Sequence, residues 1–320
     1  MNDETRRQAF NEYVATCRKL FDIQHAVGSL PLIQGKIESN VDGQYFFEDY
    51  LTEANLKTDL GRKEESLDEK QHTALRKLHE QLQKLKYDNA KNKAPSMYYA
   101  VIALDGDNMG KWLKGDLAPK IEDIFHSTVW QNLPTDYKKS LETYSPRRPM
   151  SPAIHRAISG ALREYALTFV REIVEERHLG KLIYAGGDDV LAFVNLRDLI
   201  PVMLELRASF SGHITSNFEV NLKETPSGFV EIDDSILTTM GPTASASMGV
   251  AIAYYKTPLS QVLQRARQME KDAKKLPCIE YNGEKFPEKD GFGISLMKHS
   301  GDAGEIVAKW RYPNHTAEHG

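Results

Sequence analysis

Leu182-Ile-Tyr-Ala-Gly-Gly-Asp-Asp-Val-Leu-Ala-Phe193 is the stretch on which the reading of this chain turns. Residues 182–185 and 190–194 are short apolar runs, each with the length and composition of a buried strand. Between them stand two glycines and two carboxylates, so the runs read as a hairpin with Gly186, Gly187, Asp188 and Asp189 at its tip. Glycines at such a turn allow φ > 0 and let a ligand come close to the backbone. The adjacent aspartates repel one another, and a cation beside them relieves that repulsion. Gly-Gly-Asp-Asp alone also fits an ordinary solvated turn, because Gly and Asp are common turn residues. A second carboxylate cluster upstream favours a metal–phosphate site.

Tyr98-Tyr-Ala-Val-Ile-Ala-Leu104 is rich in aromatic and β-branched residues and reads as a central strand. It runs into Asp105-Gly106-Asp107-Asn108-Met109-Gly110, with Lys111-Trp112-Leu113 opening a helical turn. A strand that delivers carboxylates and glycines to such a loop suits a nucleoside triphosphate with Mg²⁺ (or Mn²⁺). Magnesium takes one or two protein carboxylates together with phosphate oxygens. Backbone N–H groups of a loop holding Gly106, Asp107, Asn108 and Gly110 would cradle the phosphates. Asp107 has a second reading, as a side-chain cap of the turn that follows. Asp-Gly-Asp also begins a calcium loop, but the residues after it lack the required order. No G-x-x-x-x-G-K-[ST] occurs, so this is not a P-loop enzyme. Two strands ending side by side in carboxylates make a two-metal phosphoryl-transfer centre: one ion activates a hydroxyl, the other stabilises the departing pyrophosphate.

Three blocks now stand in order: Asp105-Gly-Asp-Asn-Met-Gly-Lys-Trp-Leu113, Tyr184-Ala-Gly-Gly-Asp-Asp-Val190, and Ser245-Ala-Ser-Met-Gly-Val-Ala-Ile-Ala-Tyr-Tyr-Lys-Thr-Pro-Leu259. Together, over about residues 97–300, they resemble the palm (cyclase) domain of the large subunit of type III CRISPR–Cas effector complexes, closest to the Cmr type. Diguanylate cyclases are weaker relatives; they carry Gly-Gly-Asp/Glu-Glu-Phe where this chain has Asp189-Val190. The resemblance implies an α+β fold, a ferredoxin-like βαββαβ palm of the nucleotide cyclase/polymerase type with a mainly helical N-terminal region. It also implies an activity: Mg²⁺-dependent polymerisation of ATP into cyclic oligoadenylate second messengers in antiviral defence, made when the complex holds target RNA.

Carried over by position, Asp105, Asp188 and Asp189 are the implied catalytic residues and metal ligands, and Gly186 and Gly187 the turn over the phosphates. Metal held by Asp105 and Asp189 would activate the 3′-hydroxyl and clamp the α-phosphate, while Asp188 binds a second ion or orients the first. Residues 263–275 resemble the family's Leu-x-x-Ala-x-x-x-Glu-x-x-Ala-Lys helix, which puts Lys274 near the triphosphate. An exposed helix lysine is the other reading. Ser247 and Gly249, on the strand beside the hairpin, either line the nucleotide pocket or are small residues packed in a sheet.

The implied partners are ATP and the other effector subunits with guide RNA and target RNA. No His-Asp dipeptide occurs, so the family's N-terminal nuclease domain has no candidate; its zinc-binding cysteines and first palm are missing too. The chain reads as the cyclase half alone. Because the family's pocket lies between two palms, a homodimer with two copies facing each other is one expectation. Two further functions compete with cyclic oligoadenylate synthesis: a non-catalytic subunit that docks RNA and proteins around an idle nucleotide site, and a cyclase with a different cyclic product. The joint presence of Asp105, Asp188 and Asp189 favours an enzyme, since an idle scaffold needs none of them.

The 320 residues are enough for about two domains. With 41% hydrophobic and 27% charged residues the chain is globular, and its net charge of −4 gives no overall basic field for nucleic acid. The charged N-terminus lacks a secretory apolar segment, and no apolar run approaches a membrane span. Two cysteines, Cys17 and Cys278, exclude a disulfide framework or a four-cysteine zinc site. These features place the chain in the cytoplasm, away from membranes. Its expected organisation is a helical region with a connector over 1–95, the palm over 96–310 and a frayed tail over 311–320. Leu75, Leu78, Leu82 and Leu85 give a short leucine seam that packs within its own domain. Prolines make 115–150 read as an irregular insert, and His299 is expected to follow a strand towards the active-site edge.

Overall fold

Residues 3–22, 43–61, 66–87, 96–220, 228–232, 235–281, 284–301 and 303–312 are described in the computed structural model. The chain divides into two compact units, residues 1–97 and 98–320.

In the first unit α1 (Asp3–Leu20), the short α2 (Glu53–Asp59) and α3 (Glu69–Tyr87) surround a core that includes Tyr13, Cys17, Leu56, Leu78 and Leu82. A reciprocal cap starts α3: Gln71 N donates to Asp68 Oδ1 at 2.7 Å, and Asp68 N donates to Gln71 Oε1 at 3.0 Å. Leu78 and Leu82 are buried, with Leu75 and Leu85 packed beside them. The leucine seam therefore faces the interior of its own unit.

The second unit begins with β1 (Tyr98–Gly106), followed by α4 (Met109–Lys114) and three short helices, α5 (Ile121–Ile124), α6 (Ser127–Asn132) and α7 (Thr135–Tyr144). The proline-rich insert is thus helical rather than irregular. Its prolines punctuate the helices: Pro134 stands at the N-cap of α7, where a missing N–H leaves no helical bond unmade. Next come α8 (Pro152–Glu164), continued in wider π turns over Tyr165–Phe169 and Glu172–Arg177, the hairpin β2 (Gly180–Gly186) and β3 (Asp189–Val194), and α9 (Leu199–Ser211). A small hairpin, β4 (Phe229–Ile232) and β5 (Ser235–Thr238), precedes β6 (Ala246–Tyr254) and α10 (Leu259–Ala273). The hairpin β7 (Ile279–Tyr281) and β8 (Glu284–Phe286), then β9 (Gly291–Met297) and β10 (Ala303–Lys309), complete the chain.

The main sheet has six strands in the order β10-β9-β6-β1-β3-β2. β1 pairs antiparallel with both β3 and β6, and β2 pairs antiparallel with β3. Across the sheet these four strands stand in the order β6-β1-β3-β2, the fourth, first, third and second of the unit in chain order, with α8 and α9 as crossovers: the ferredoxin-like βαββαβ palm. β9 adds in parallel to β6 through α10.

Both faces of this sheet are covered, which explains the unbroken apolar run of β1. Side chains alternate along a strand, so Ala100, Ile102 and Leu104 join the cluster of Phe169, Ile173, Val202 and Leu206 from α9 and the π turns. Val101 and Ala103 face the other way, with Ala251, Ala253 and the α10 residues Val262 and Ala266. The same alternation puts Asp105, Asp189, Ser247 and Gly249 on the α10 face.

Helix α9 is buried along most of its length, its polar residues included. Arg207 donates to Asp290 Oδ1 from Nε at 2.8 Å and from Nη2 at 2.6 Å, and from Nη1 to Ser211 Oγ at 2.6 Å; Ser211 Oγ lies 3.0 Å from His213 Nδ1. Burial, with the nearby charges of Arg207 and Arg311, lowers the His213 pKa to about 4 against the opposing pull of Asp290. Between about 6.5 and 4 the unfolded chain takes up a proton that folded His213 refuses, so stability is lost as pH falls through this window. His213→Gln is expected to remove that acid slope, worth up to about 3 kcal/mol across the window. Thermal midpoints of both proteins measured from pH 7 to pH 4 check it.

Candidate active site

The tip of the β2–β3 hairpin lies beside the end of β1. Gly186 pairs with Asp189, so Gly187 and Asp188 make a two-residue turn, and Gly187 takes φ +84° at its first central position, where glycine is favoured. A bulge between Leu182 and Tyr184 shifts the register of β2 just before the tip. Gly106 N donates to Asp188 O at 3.2 Å and ties the two strand ends together. Asp188 is half-buried, and burial together with the Asp189 charge raises its pKa. Asp189 is exposed on the α10 face.

Asp105 sits across from Ser247 in the sheet, and the Lys274 ammonium, arriving from the end of α10, contacts its Oδ2. Lys274 also lies 3.2 Å from Glu270 Oε1, one turn earlier on the same helix face. Burial, reinforced by Lys289, lowers the Lys274 pKa to about 8. Burial and the Asp189 charge raise that of Glu270. Asp105, Asp188, Asp189, Glu270 and Lys274 thus share one end of the sheet.

Asp107 has a different place. It is almost fully buried, and its carboxylate accepts from Ser247 Oγ at 2.8 Å, Ser245 Oγ at 2.7 Å and Asp290 N at 3.1 Å. Burial raises its pKa and these donors oppose the rise. Asp107 does not cap α4; the N-cap position belongs to Asn108, in a left-handed conformation with φ +58° and no side-chain cap bond. Ser247, fully buried, is one of the groups holding Asp107. Gly249 lies under α10, where a Cβ would stand 2.0 Å from Ala266 O and 2.2 Å from Glu270 N. Gly110 is exposed in the first turn of α4, and Gly186 is exposed at the tip. Beside this loop a cavity of about 300 Å³ is lined by Asp107, Asn108, Lys111, Ser245, Lys285 and Glu288 among others.

His299 lies away from this site. β9 runs parallel to β6, so its C-terminal end reaches the other end of β1, where the His299 ring packs 4.5 Å from the Tyr254 ring and the His299 backbone N–H donates to the Tyr98 hydroxyl. Sequence reading assigned no role to Glu270, Ser245, Asp290 or Arg207. Glu270 was legible as the glutamate one turn before Lys274; Asp290 and Arg207 are far from the motifs in sequence.

The donors at this end are hard carboxylate oxygens, which suit Mg²⁺ or Mn²⁺. Among the described residues no three His, Cys, Asp or Glu side chains gather as a ready metal cage.

A βαββαβ sheet with carboxylates on the hairpin tip and on the adjoining strand end defines a palm domain of the cyclase type. Residues 98–278 match the family model "Cas10/Cmr2, second palm domain". This chain belongs to that family. It is 30% identical over 216 residues to the CRISPR system Cmr subunit Cmr2 of Pyrococcus furiosus, an alignment covering 68% of this chain and 20% of the relative. It is 30% identical over 167 residues to Cmr2 of Saccharolobus solfataricus, covering 51% of this chain and 15% of that protein. This chain therefore aligns with only a minor part of these relatives' length. Among solved structures it resembles a chain of the type III-B Cmr-beta complex in its apo state (TM-score 0.56, 17% identity, covering 96% of this chain and 35% of the other). The same complex bound to cognate target RNA gives a TM-score of 0.57 at 18% identity, with the same coverage. Among the described residues no helix is long and apolar enough to cross a membrane.

Proposed function

We propose that this chain is a nucleotidyltransferase palm that joins ATP 3′-to-5′ into cyclic oligoadenylate, acting within a type III CRISPR effector assembly with guide and target RNA. The observation that carries the reading is the convergence of Asp105 with the Asp188-Asp189 tip, fixed by the Gly106 N–H to Asp188 O bond. Asp105 and Asp189 would hold a divalent ion, Mg²⁺ or Mn²⁺, which when bound would lower the pKa of a 3′-hydroxyl and neutralise charge on the α-phosphate. Asp188 orients that ion or holds a second one. Lys274 is within reach of the same point and exchanges its contact with Asp105 for the triphosphate oxygens, acting as a point charge. Glu270 keeps Lys274 on that face of α10. The N–H groups of Gly106 and Asp107 are engaged by Asp188 O and Ser245 O, so the approach to the phosphates is left to Asn108 and the Gly186-Gly187 turn. In the adjoining cavity Lys111 is paired with Glu288 at 2.9 Å and Lys285 is a further cation.

The test is incubation of the purified chain with ATP and Mg²⁺ or Mn²⁺, with products resolved by mass. Cyclic or linear oligoadenylate is the expected result. Another cyclic nucleotide would keep the chemistry and change the product. Bound ATP without product would assign the chain to docking, with the site completed by a second palm from a partner or from another copy of this chain.

A further inference from the structure

The loop that follows Asp105 at the end of β1 is held from behind by a part of the chain outside the three motifs. Lys289 and Asp290 are consecutive non-glycine residues in left-handed backbone, at φ +64° and φ +44°. Such conformations persist only where the surroundings enforce them, and here they do so from several sides. Arg207 from α9 grips the Asp290 carboxylate with two hydrogen bonds, and both side chains are buried. Arg311 Nη2 lies 3.9 Å from the other carboxylate oxygen, and Trp310 N donates to Asp290 O at 3.1 Å. Lys309 Nζ donates to Lys289 O at 2.9 Å and to Pro287 O at 2.7 Å. The result of this clamping is the direction of one N–H: Asp290 N points at Asp107 Oδ2, 3.1 Å away. Asp107 N in turn donates to Ser245 O at 2.8 Å, two residues after Asp105.

We infer that Asp290 is a positioning residue for Asp105: anchored by Arg207, its backbone N–H fixes Asp107, and Asp107 fixes the strand end from which Asp105 projects. The packing of the sheet does not require such an arrangement, since an apolar pair would fill the Arg207–Asp290 space without a buried charge. What the arrangement supplies is direction, in a site where small displacements of a catalytic group are costly. The kinetic consequence rests on the nucleotidyl-transfer reading of Asp105; the positional one does not.

The experiment compares the full chain with Asp290→Asn, Asp290→Gly and the double variant Arg207→Met/Asp290→Gly. Asparagine keeps an acceptor oxygen for Arg207 and tolerates left-handed backbone; glycine keeps the backbone and deletes the anchor. The double variant also removes the buried arginine left without its partner, which restores thermal stability. Hydrogen–deuterium exchange is followed on peptides covering 104–109, and kcat and KM for ATP with Mg²⁺ are measured in parallel. Asp290→Asn is expected to keep wild-type exchange. Asp290→Gly and the double variant should exchange on the order of tenfold faster there, with kcat down on the order of tenfold to a hundredfold and KM for ATP within about threefold. Wild-type exchange at 104–109 in the double variant overturns the proposal, as does Asp290→Asn behaving like Asp290→Gly. A wild-type chain that turns over no ATP counts against the nucleotidyl-transfer reading, and exchange then decides the positional claim by itself.

Discussion

On the proposed nucleotidyl-transfer reading, Asp188→Ala/Asp189→Ala is expected to cut turnover of ATP by orders of magnitude while leaving the chain at least as stable as wild type. The two effects separate because the carboxylates work against the fold. Asp188 has a raised pKa, caused by its own burial and by the Asp189 charge next to it, so ionised Asp188 disfavours the folded state near neutral pH. Alanine removes that penalty, keeps the Cβ that Gly106 packs against, and keeps the Asp188 carbonyl that accepts from Gly106. The kinetic loss comes from removing oxygen donors for the ion. If that ion contributes about 4 kcal/mol to the transition state, turnover falls on the order of 10³-fold. Single-turnover assays with Mg²⁺, beside a thermal melt of each protein, check both halves. A variant that loses activity by unfolding, or that keeps within tenfold of wild type, would sink the metal-ligand reading.

Gly249→Ala is the second large effect, and it acts on stability first. The added methyl meets Ala266 O and the Glu270 backbone, which belong to a helix and cannot swing aside as a flexible side chain does. Helix α10 must lift from β6, at a cost of about 3 kcal/mol, the upper end for overpacking. In a unit of this size that lowers the melting temperature by roughly 6–12 °C. Because α10 also carries Glu270 and Lys274, activity should fall further than the remaining folded fraction explains. Gly110→Ala is the contrast. Nothing lies within 4 Å of a Cβ at that helical position, so alanine there should be neutral or stabilising by up to about 1 kcal/mol. Melts of the two variants beside wild type give a direct comparison.

Much of this site was legible in the sequence because it follows two simple periods. Alternation along β1 and β3, counted from the buried apolar residues, puts Asp105 and Asp189 on one face of the sheet. The four-residue helical step that joins Glu270 to Lys274 lays both on one side of α10. Sequence could also show that Ser247 and Gly249 sit on that face, but not that one faces a buried carboxylate and the other a helix backbone. Those outcomes depend on how closely α10 approaches β6. The prolines of 115–150 misled in a different way. They forbid positions within a helix but suit its start, and several short helices use the segment. His299 was misplaced because strand direction decides which end of a sheet a loop reaches. The parallel pairing of β9 with β6 is a property of the crossover through α10, which no local motif encodes.

The groups around Asp105 and Asp107 come from distant parts of the chain: Lys274 is 169 residues from Asp105, and Asp290 is 183 residues from Asp107. During synthesis the motif-bearing strand therefore leaves the ribosome long before the residues that restrain it. Its two aspartates remain solvated until β6, α10 and the segment before β9 have been made and docked. Contacts of such sequence separation close late and slowly. A nascent or clipped chain that ends before Asp290 can hold the hairpin and still lack the bond from Asp290 N to Asp107 beside the end of β1.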